Sequence, residues 1–243
     1  MKIALAQINP VKGAIATNIS LHKKWIQSAI QKKATVIIFP ELSITGYEPT
    51  LAEALATTPF DSRFNIFQQL SNQYQLMIGI GVPLKNSTGI NISLLLFHPN
   101  QPRQIYAKKY LHPDELPFFE NGQNDNLIIK NTTIGLAICY ELSIPNHITD
   151  AHKKGAKLYL ASVAKNQKGV QQAAGRLSSI AKNYSMPTLM VNCVGCCDDF
   201  EAIGQSAVWG AHGKLLGQLP ANEEGLLIFN MDTEEVYSIS KLG

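Results

Sequence analysis

Apolar and polar positions along the chain alternate between two periods. Short, nearly continuous apolar runs at 2–7 (KIALAQ), 35–39 (TVIIF), 76–82 (LMIGIGV), 92–98 (ISLLLFH), 134–139 (IGLAIC), 157–163 (KLYLASV) and 188–192 (TLMVN) have the length and composition of buried strands. Between them, Ile19, Ile26 and Ile30 recur at helical spacing within 16–33, and helical patterns return near 147–155 and 168–184. Such alternation predicts an α/β fold. After Asn192 the runs become shorter, at 205–209, 214–219 and 225–231, and are broken by glycine turns. That change predicts a closing antiparallel meander, and hence mixed sheets. No repeat, low-complexity tract or long linker interrupts the pattern, so one domain over 1–243 is expected.

Composition narrows the partners. The 243 residues are 45% hydrophobic and 16% charged, enough to bury a large core without staples. The formal charge is only +3 and the 21 Lys and Arg are scattered, so neither nucleic acid nor a membrane surface is an expected partner. The opening KIALAQINP lacks a secretory h-region, and no later stretch approaches the ~20 apolar residues of a membrane span. The expectation is a cytoplasmic protein.

Four cysteines occur, with Cys139 standing apart from Cys193, Cys196 and Cys197. The segment CVGCC at 193–197 raises a redox pair or half a zinc site. It follows an apolar strand instead of opening a helix, and a zinc site would need a second ligand pair, so reduced, packed or peripheral thiols are expected. No metal or cofactor is required.

Three segments place chemistry at strand ends, where ligands collect in α/β folds. In FPELSITGY (39–47) an apolar strand runs into Glu41 and then a turn at Gly46, so the acid can face an apolar pocket as a base or merely cap a turn. In YAKKYLHPDELPFFENG (106–122) a strand end precedes a loop carrying Lys108, Lys109 and several acids. One lysine drawn into an apolar site could support an oxyanion, while a surface charge is the commoner fate. In TIGLAICYELSIP (133–145) Cys139 closes a strand ahead of a helix. There, backbone amides and a helix amino terminus could lower its pKa from the free value of ~8.5, although many strand cysteines are simply buried apolar groups.

Taken in order, these segments resemble the signature of the nitrilase, or carbon-nitrogen hydrolase, superfamily: F-P-E-L-x-x-x-G-Y, Y-x-K-x-x-L and G-x-x-I-C-Y-[DE]. KIALAQINPVKG and GQSAVWGAHGKLLGQL (204–219) resemble the family's opening strand and late motif. The resemblance implies a four-layer α-β-β-α sandwich with two mixed sheets, and a homodimer or higher homo-oligomer. It implies Glu41 as general base, Cys139 as nucleophile and Lys108, not Lys109, as oxyanion support. Glu115 would be the structural glutamate that holds the lysine, with Glu120 as fallback, and the Tyr140 backbone amide would be a second oxyanion donor.

The implied activity is thiol-dependent hydrolysis of a small-molecule amide, without a cofactor. The alternatives are a nitrile hydrolase on the same fold or a non-catalytic small-molecule binder. The chain departs from many relatives in having Leu142, Ser143, Ile144 and Pro145 after the Cys-Tyr-acid, and Asn183 where a carboxylate is common. Tyr47, Phe118, Phe119 and residues 162–166 are the candidates for a pocket lining.

Overall fold

The computed structural model describes residues 1–123, 127–130 and 132–240. In chain order the strands are β1 (Lys2–Gln7), β2 (Val36–Ile38), β3 (Met77–Lys85), β4 (Ile90–Phe97), β5 (Gln104–Ala107), β6 (Leu127–Lys130), β7 (Thr132–Ile138), β8 (Leu158–Val163), β9 (Thr188–Asn192), β10 (Val194–Cys197), β11 (Phe200–Ile203), β12 (Ala207–Trp209), β13 (Leu215–Gln218), β14 (Gly225–Asn230) and β15 (Val236–Ile239). The helices are α1 (Ile15–Gln31), α2 (Ala52–Leu55), α3 (Asn65–Tyr74), α4 (Pro145–Lys153) and α5 (Gln167–Tyr184).

Among the described residues the strands form a seven-stranded sheet in the order β15-β14-β1-β2-β3-β4-β5, a six-stranded sheet in the order β13-β12-β9-β8-β7-β6, and the hairpin β10-β11. Both large sheets are mixed. β1, β2 and β3 run parallel while β4 and β14 pair antiparallel, and β7, β8 and β9 run parallel while β12 pairs antiparallel.

Strand composition explains the layering. Alternate residues of β1 divide between two cores: Ile3 and Leu5 face Ile134, Leu136, Leu160 and Leu189 of the other sheet, while Ala4 and Ala6 face Trp25, Ile26 and Ala29 of α1. On the second sheet Ala137, Tyr159 and Ala161 face outward onto Ile148 and Ala151 of α4 and Val170, Ala173 and Leu177 of α5. The result is the expected α-β-β-α sandwich, in which each sheet is buried on both faces. This is why its strands read as continuous apolar runs.

The tail of the chain departs from the expected meander. β12 and β13 extend the six-stranded sheet, whereas β14 crosses back to pair with β1 and β15 follows it. The apolar alternation is the same in both cases, so periodicity alone could not assign the partner sheet.

Candidate active site

Glu41 stands just beyond β2. Pro40 ends the ladder because it has no N–H to donate, and Leu42, at φ 51°, turns the chain back. The turn then packs directly on β3: the Ile44 N–H donates to the Gly81 carbonyl at 2.9 Å, and the Gly81 N–H donates to Ser43 Oγ at 3.2 Å. Only glycine fits at 81, since a Cβ there would lie 2.2 Å from the Pro40 carbonyl oxygen and 2.4 Å from the Leu42 nitrogen. Glu41 is thereby buried, with Oε1 on Lys108 and Oε2 without a hydrogen-bond partner among the described residues.

Lys108 follows β5. Its N–H continues the ladder to the Ile92 carbonyl at 2.8 Å, and its carbonyl accepts from the Gly122 N–H at 2.7 Å, closing the 109–121 loop over it. The side chain has 0% exposure, and its ammonium is held at 2.7 Å from Glu41 Oε1 and 2.6 Å from Glu115 Oε1. Glu115 is fixed in turn by the Tyr47 hydroxyl at 2.8 Å on Oε1 and the His112 N–H at 2.7 Å on Oε2. Burial pulls the Lys108 ammonium down in pKa, but the carboxylates of Glu41 and Glu115 outweigh it and hold the group above its ordinary value. Burial raises the Glu41 carboxyl, with Lys108 pulling the other way.

Cys139 is the first residue past β7, at φ 44°, a left-handed conformation that costs a non-glycine residue about 1–3 kcal/mol. A 3₁₀ turn, Cys139–Ser143, separates it from α4, so the thiol does not cap an α-helix. Instead of being lowered, the thiol is pushed up to about 11, by burial and then by the facing Glu41 carboxylate. The helix-terminus expectation fails here because burial and the Glu41 carboxylate outweigh the Lys165 and Lys108 ammoniums. Sγ points to the Ala164 carbonyl at 3.8 Å.

One residue ties the lysine and cysteine segments together. Glu141 accepts the Lys109 N–H at 2.6 Å on Oε1, and the Ile138 N–H at 2.7 Å and Tyr106 hydroxyl at 2.5 Å on Oε2. Burial pushes its carboxyl up to about 7 against these three donors. A buried chain continues from it: Tyr106 Oη lies 2.9 Å from His147 Nε2, and His147 Nδ1 lies 2.7 Å from Tyr159 Oη.

A model of the family described as carbon-nitrogen hydrolase matches residues 2–241. The chain belongs to the carbon-nitrogen hydrolase family. It is similar to the glutamine-dependent NAD(+) synthetase of Aquifex aeolicus, 26% identical over 97% of this chain and 43% of that protein, and to a probable nitrilase of Schizosaccharomyces pombe, 23% identical over 98% of this chain and 91% of that one. This carbon-nitrogen hydrolase thus spans less than half the length of the synthetases it matches. Among solved structures, an amidase from Nesterenkonia sp. AN1 in complex with butyramide superposes at a TM-score of 0.83 and 23% identity, covering 94% of this chain and 89% of that one. A glutamine-dependent NAD+ synthetase from Acinetobacter baumannii superposes at 0.84 and 22% identity, covering all of this chain and 48% of its own.

In this carbon-nitrogen hydrolase a cavity of about 910 Å³ opens above Cys139, with Tyr47, Glu115, Phe118 and Tyr140 on its wall. Of the residues considered for the lining, Ala164, Lys165 and Asn166 reach it, while Phe119 is in the intersheet core and Ser162 is spent on a 2.9 Å bond to the Phe39 carbonyl. Glu120 is exposed and lies outside the lysine's pair of carboxylates.

Sequence reasoning missed Glu141 as the brace, although the acid of C-Y-[DE] was its signal. It also missed Tyr47 as a partner of Glu115, and the cavity residues of α5. Cys193 and Cys197 are buried with sulfurs 3.6 Å apart and Cys196 is exposed; all are free thiols. His147 and His152 share α4, but the His147 ring is committed to Tyr106 and Tyr159.

Proposed function

We propose that the protein is a thiol-dependent amidohydrolase that cleaves a small-molecule amide through a thioester on Cys139. The observation that carries the reading is the fully buried Lys108 ammonium clamped between two carboxylates, one of which, Glu41, keeps a buried oxygen unpartnered among the described residues. With the thiol near 11, only roughly 1 in 10⁴ molecules would be thiolate at neutral pH, so the proton must leave as the sulfur attacks. Glu41 Oε2 is free to take it, and burial makes this carboxylate a stronger base than an exposed one.

The C–S bond forms as the carbonyl π pair moves onto oxygen, where the Lys108 ammonium and the Tyr140 N–H would hold it. Comparable donors are worth about 3–4 kcal/mol. Glu41 then returns the proton to nitrogen, the C–N bond breaks, and ammonia or an amine leaves. Water, deprotonated by Glu41, hydrolyses the thioester to a carboxylic acid. Glu115 acts through Lys108, fixing where the ammonium sits.

A second reading draws on the synthetase relatives, whose names make them glutamine-dependent and half of whose length this chain matches. In it the chain releases ammonia from glutamine for a partner. Nitrile hydrolysis would use the same thiol through a thioimidate. The proposal extends to a cytoplasmic homodimer or higher homo-oligomer, consistent with four unbridged thiols.

The test is to incubate the wild type and Cys139→Ala with small amides, glutamine and nitriles, weigh the intact protein and assay ammonia. An acyl adduct on the 139 peptide of the wild type and none on the variant is expected. Near-normal ammonia release by Cys139→Ala would overturn the proposal, and the adduct's mass separates the substrate classes.

A further inference from the structure

The cavity above Cys139 has a second lysine that the chemistry just described does not use. Lys165 directly follows Ala164, whose carbonyl faces the Cys139 sulfur. Its backbone is clamped on both sides: its N–H donates to Asn192 Oδ1 at 2.9 Å, and its carbonyl accepts from Asn192 Nδ2 at 3.0 Å and the Ile203 N–H at 3.3 Å. The side chain is half-buried on the cavity wall, and its ammonium has no hydrogen bond or ion pair among the described residues.

Two comparisons define what that ammonium is for. Lys108 is already shared between Glu41 and Glu115 and in the proposed reaction serves the oxyanion, so it is not left to hold a second anionic group. Lys165 is on the cavity wall one residue from the carbonyl that faces the nucleophile, and its charge acts on both Cys139 and Glu41.

The wall it belongs to carries two further cations among neutral residues such as Asn166, Gly169 and Gln172. Lys168 and Arg176 of α5 line the same cavity, and among the described residues Arg176 is engaged only by the Ser143 hydroxyl, at 2.5 Å. The sequence contains no Asp or Glu from 151 to 197 to neutralise them. The acids that do line the cavity sit elsewhere: Asp114 and Glu115 in the lysine loop, and Asp198 and Asp199 in the β10–β11 turn, where Asp198 also feels Glu48 and Lys12. The α5 side of the cavity therefore carries cations and no acid, and Lys165 is the one of them that adjoins Ala164 beside the nucleophile.

An unpaired ammonium at a half-dry site is a binding group for an anion, and a carboxylate is the anion an amide substrate can carry. We propose, resting on the amidohydrolase reading, that Lys165 is a specificity-determining residue that binds the carboxylate of an amide substrate whose acyl group also carries that carboxylate. The substrate class is then the half-amide of a short dicarboxylic acid or a close analogue. Lys168 and Arg176 would extend the same recognition outward.

The experiment compares three amides of equal length: succinamate, with a terminal carboxylate; butyramide, neutral; and 3-aminopropanamide, cationic. For the wild type, kcat/KM for succinamate is expected to exceed that for butyramide at least tenfold. Lys165→Met should cut that ratio at least tenfold, chiefly through KM for succinamate, Lys165→Arg should retain most of it, and Lys165→Glu should shift preference toward 3-aminopropanamide.

A purely structural role would lower all three substrates together and leave the ratio unmoved, which would overturn the proposal. So would a wild type that prefers butyramide or 3-aminopropanamide, a result that can be read even if a variant fails to fold. Turnover of butyramide without a carboxylate preference sinks this inference alone; no turnover and no Cys139 adduct with any amide sinks the amidohydrolase reading as well.

Discussion

Adding one methyl group at two different glycines should move stability in opposite directions. At Gly81 a Cβ would begin 2.2 Å from the Pro40 carbonyl oxygen, and real Cβ contacts stay above 3.0 Å, so the Glu41 turn must retreat by at least the difference, 0.8 Å. The neighbours are backbone atoms of a packed turn and cannot swing aside. We therefore place the cost of Gly81→Ala at the upper end of overpacking, about 3 kcal/mol.

The same retreat carries Glu41 away from Lys108 and the thiol. Misplacement on this scale costs a reaction roughly 10²-fold. At Gly175, exposed within α5 and with nothing within 4 Å of the added carbon, alanine should instead stabilise by about 1 kcal/mol through helix propensity. Urea denaturation with a shared slope gives both changes, and ammonia release from a small amide gives the rate. A Gly81→Ala protein within about 0.5 kcal/mol of wild type and with undiminished turnover would refute the reasoning about the turn.

Three other outcomes can be checked with the same assays. Lys108→Ala strands two buried carboxylates and should abolish turnover while costing about 3–5 kcal/mol, whereas Lys109→Ala, whose backbone makes the contact with Glu141, should change turnover less than threefold; equal effects would misplace the lysine. Glu141→Gln replaces an oxygen by an NH₂, so the N–H of Lys109 or of Ile138 loses its acceptor; turnover should fall about tenfold or more through kcat, and wild-type kcat would remove Glu141 from the site's support. For pH, the proposed mechanism pairs ionised Glu41 with protonated Cys139 in the active form. Activity should therefore rise with pH through a midpoint above the ordinary carboxylate value of 4.5 and not fall until the thiol ionises near 11, and an acid limb at or below 4.5 would contradict the buried base.

Much of the architecture was legible because each sheet is buried on both faces, so its strands appear as apolar runs that composition alone reveals. β10, β11 and β15 were not, being short and half-exposed, and α3 was hidden by its polar run NIFQQLSNQY. At the site, Glu41, Lys108 and Cys139 announced themselves by abrupt apolar-to-polar changes at strand ends. The state of the thiol did not, because its pKa depends first on burial and then on a carboxylate almost a hundred residues away in sequence. Glu141 was visible as a letter but not as a brace, since its three donors come from β5, the following loop and β7. Lys165 lay in a stretch flagged only for its position, and nothing local distinguishes an unpaired lysine from a solvated one.

Glu41 and Lys108 hang from the ends of β2 and β5 in one sheet, while Cys139 hangs from β7 in the other. Reactivity is thus a property of the docked pair of halves and belongs to neither. A partly folded chain with only one sheet formed would carry an ordinary sulfhydryl or an idle acid and ammonium, and could not attack its surroundings. The proposed site exists only where the two sheets have docked.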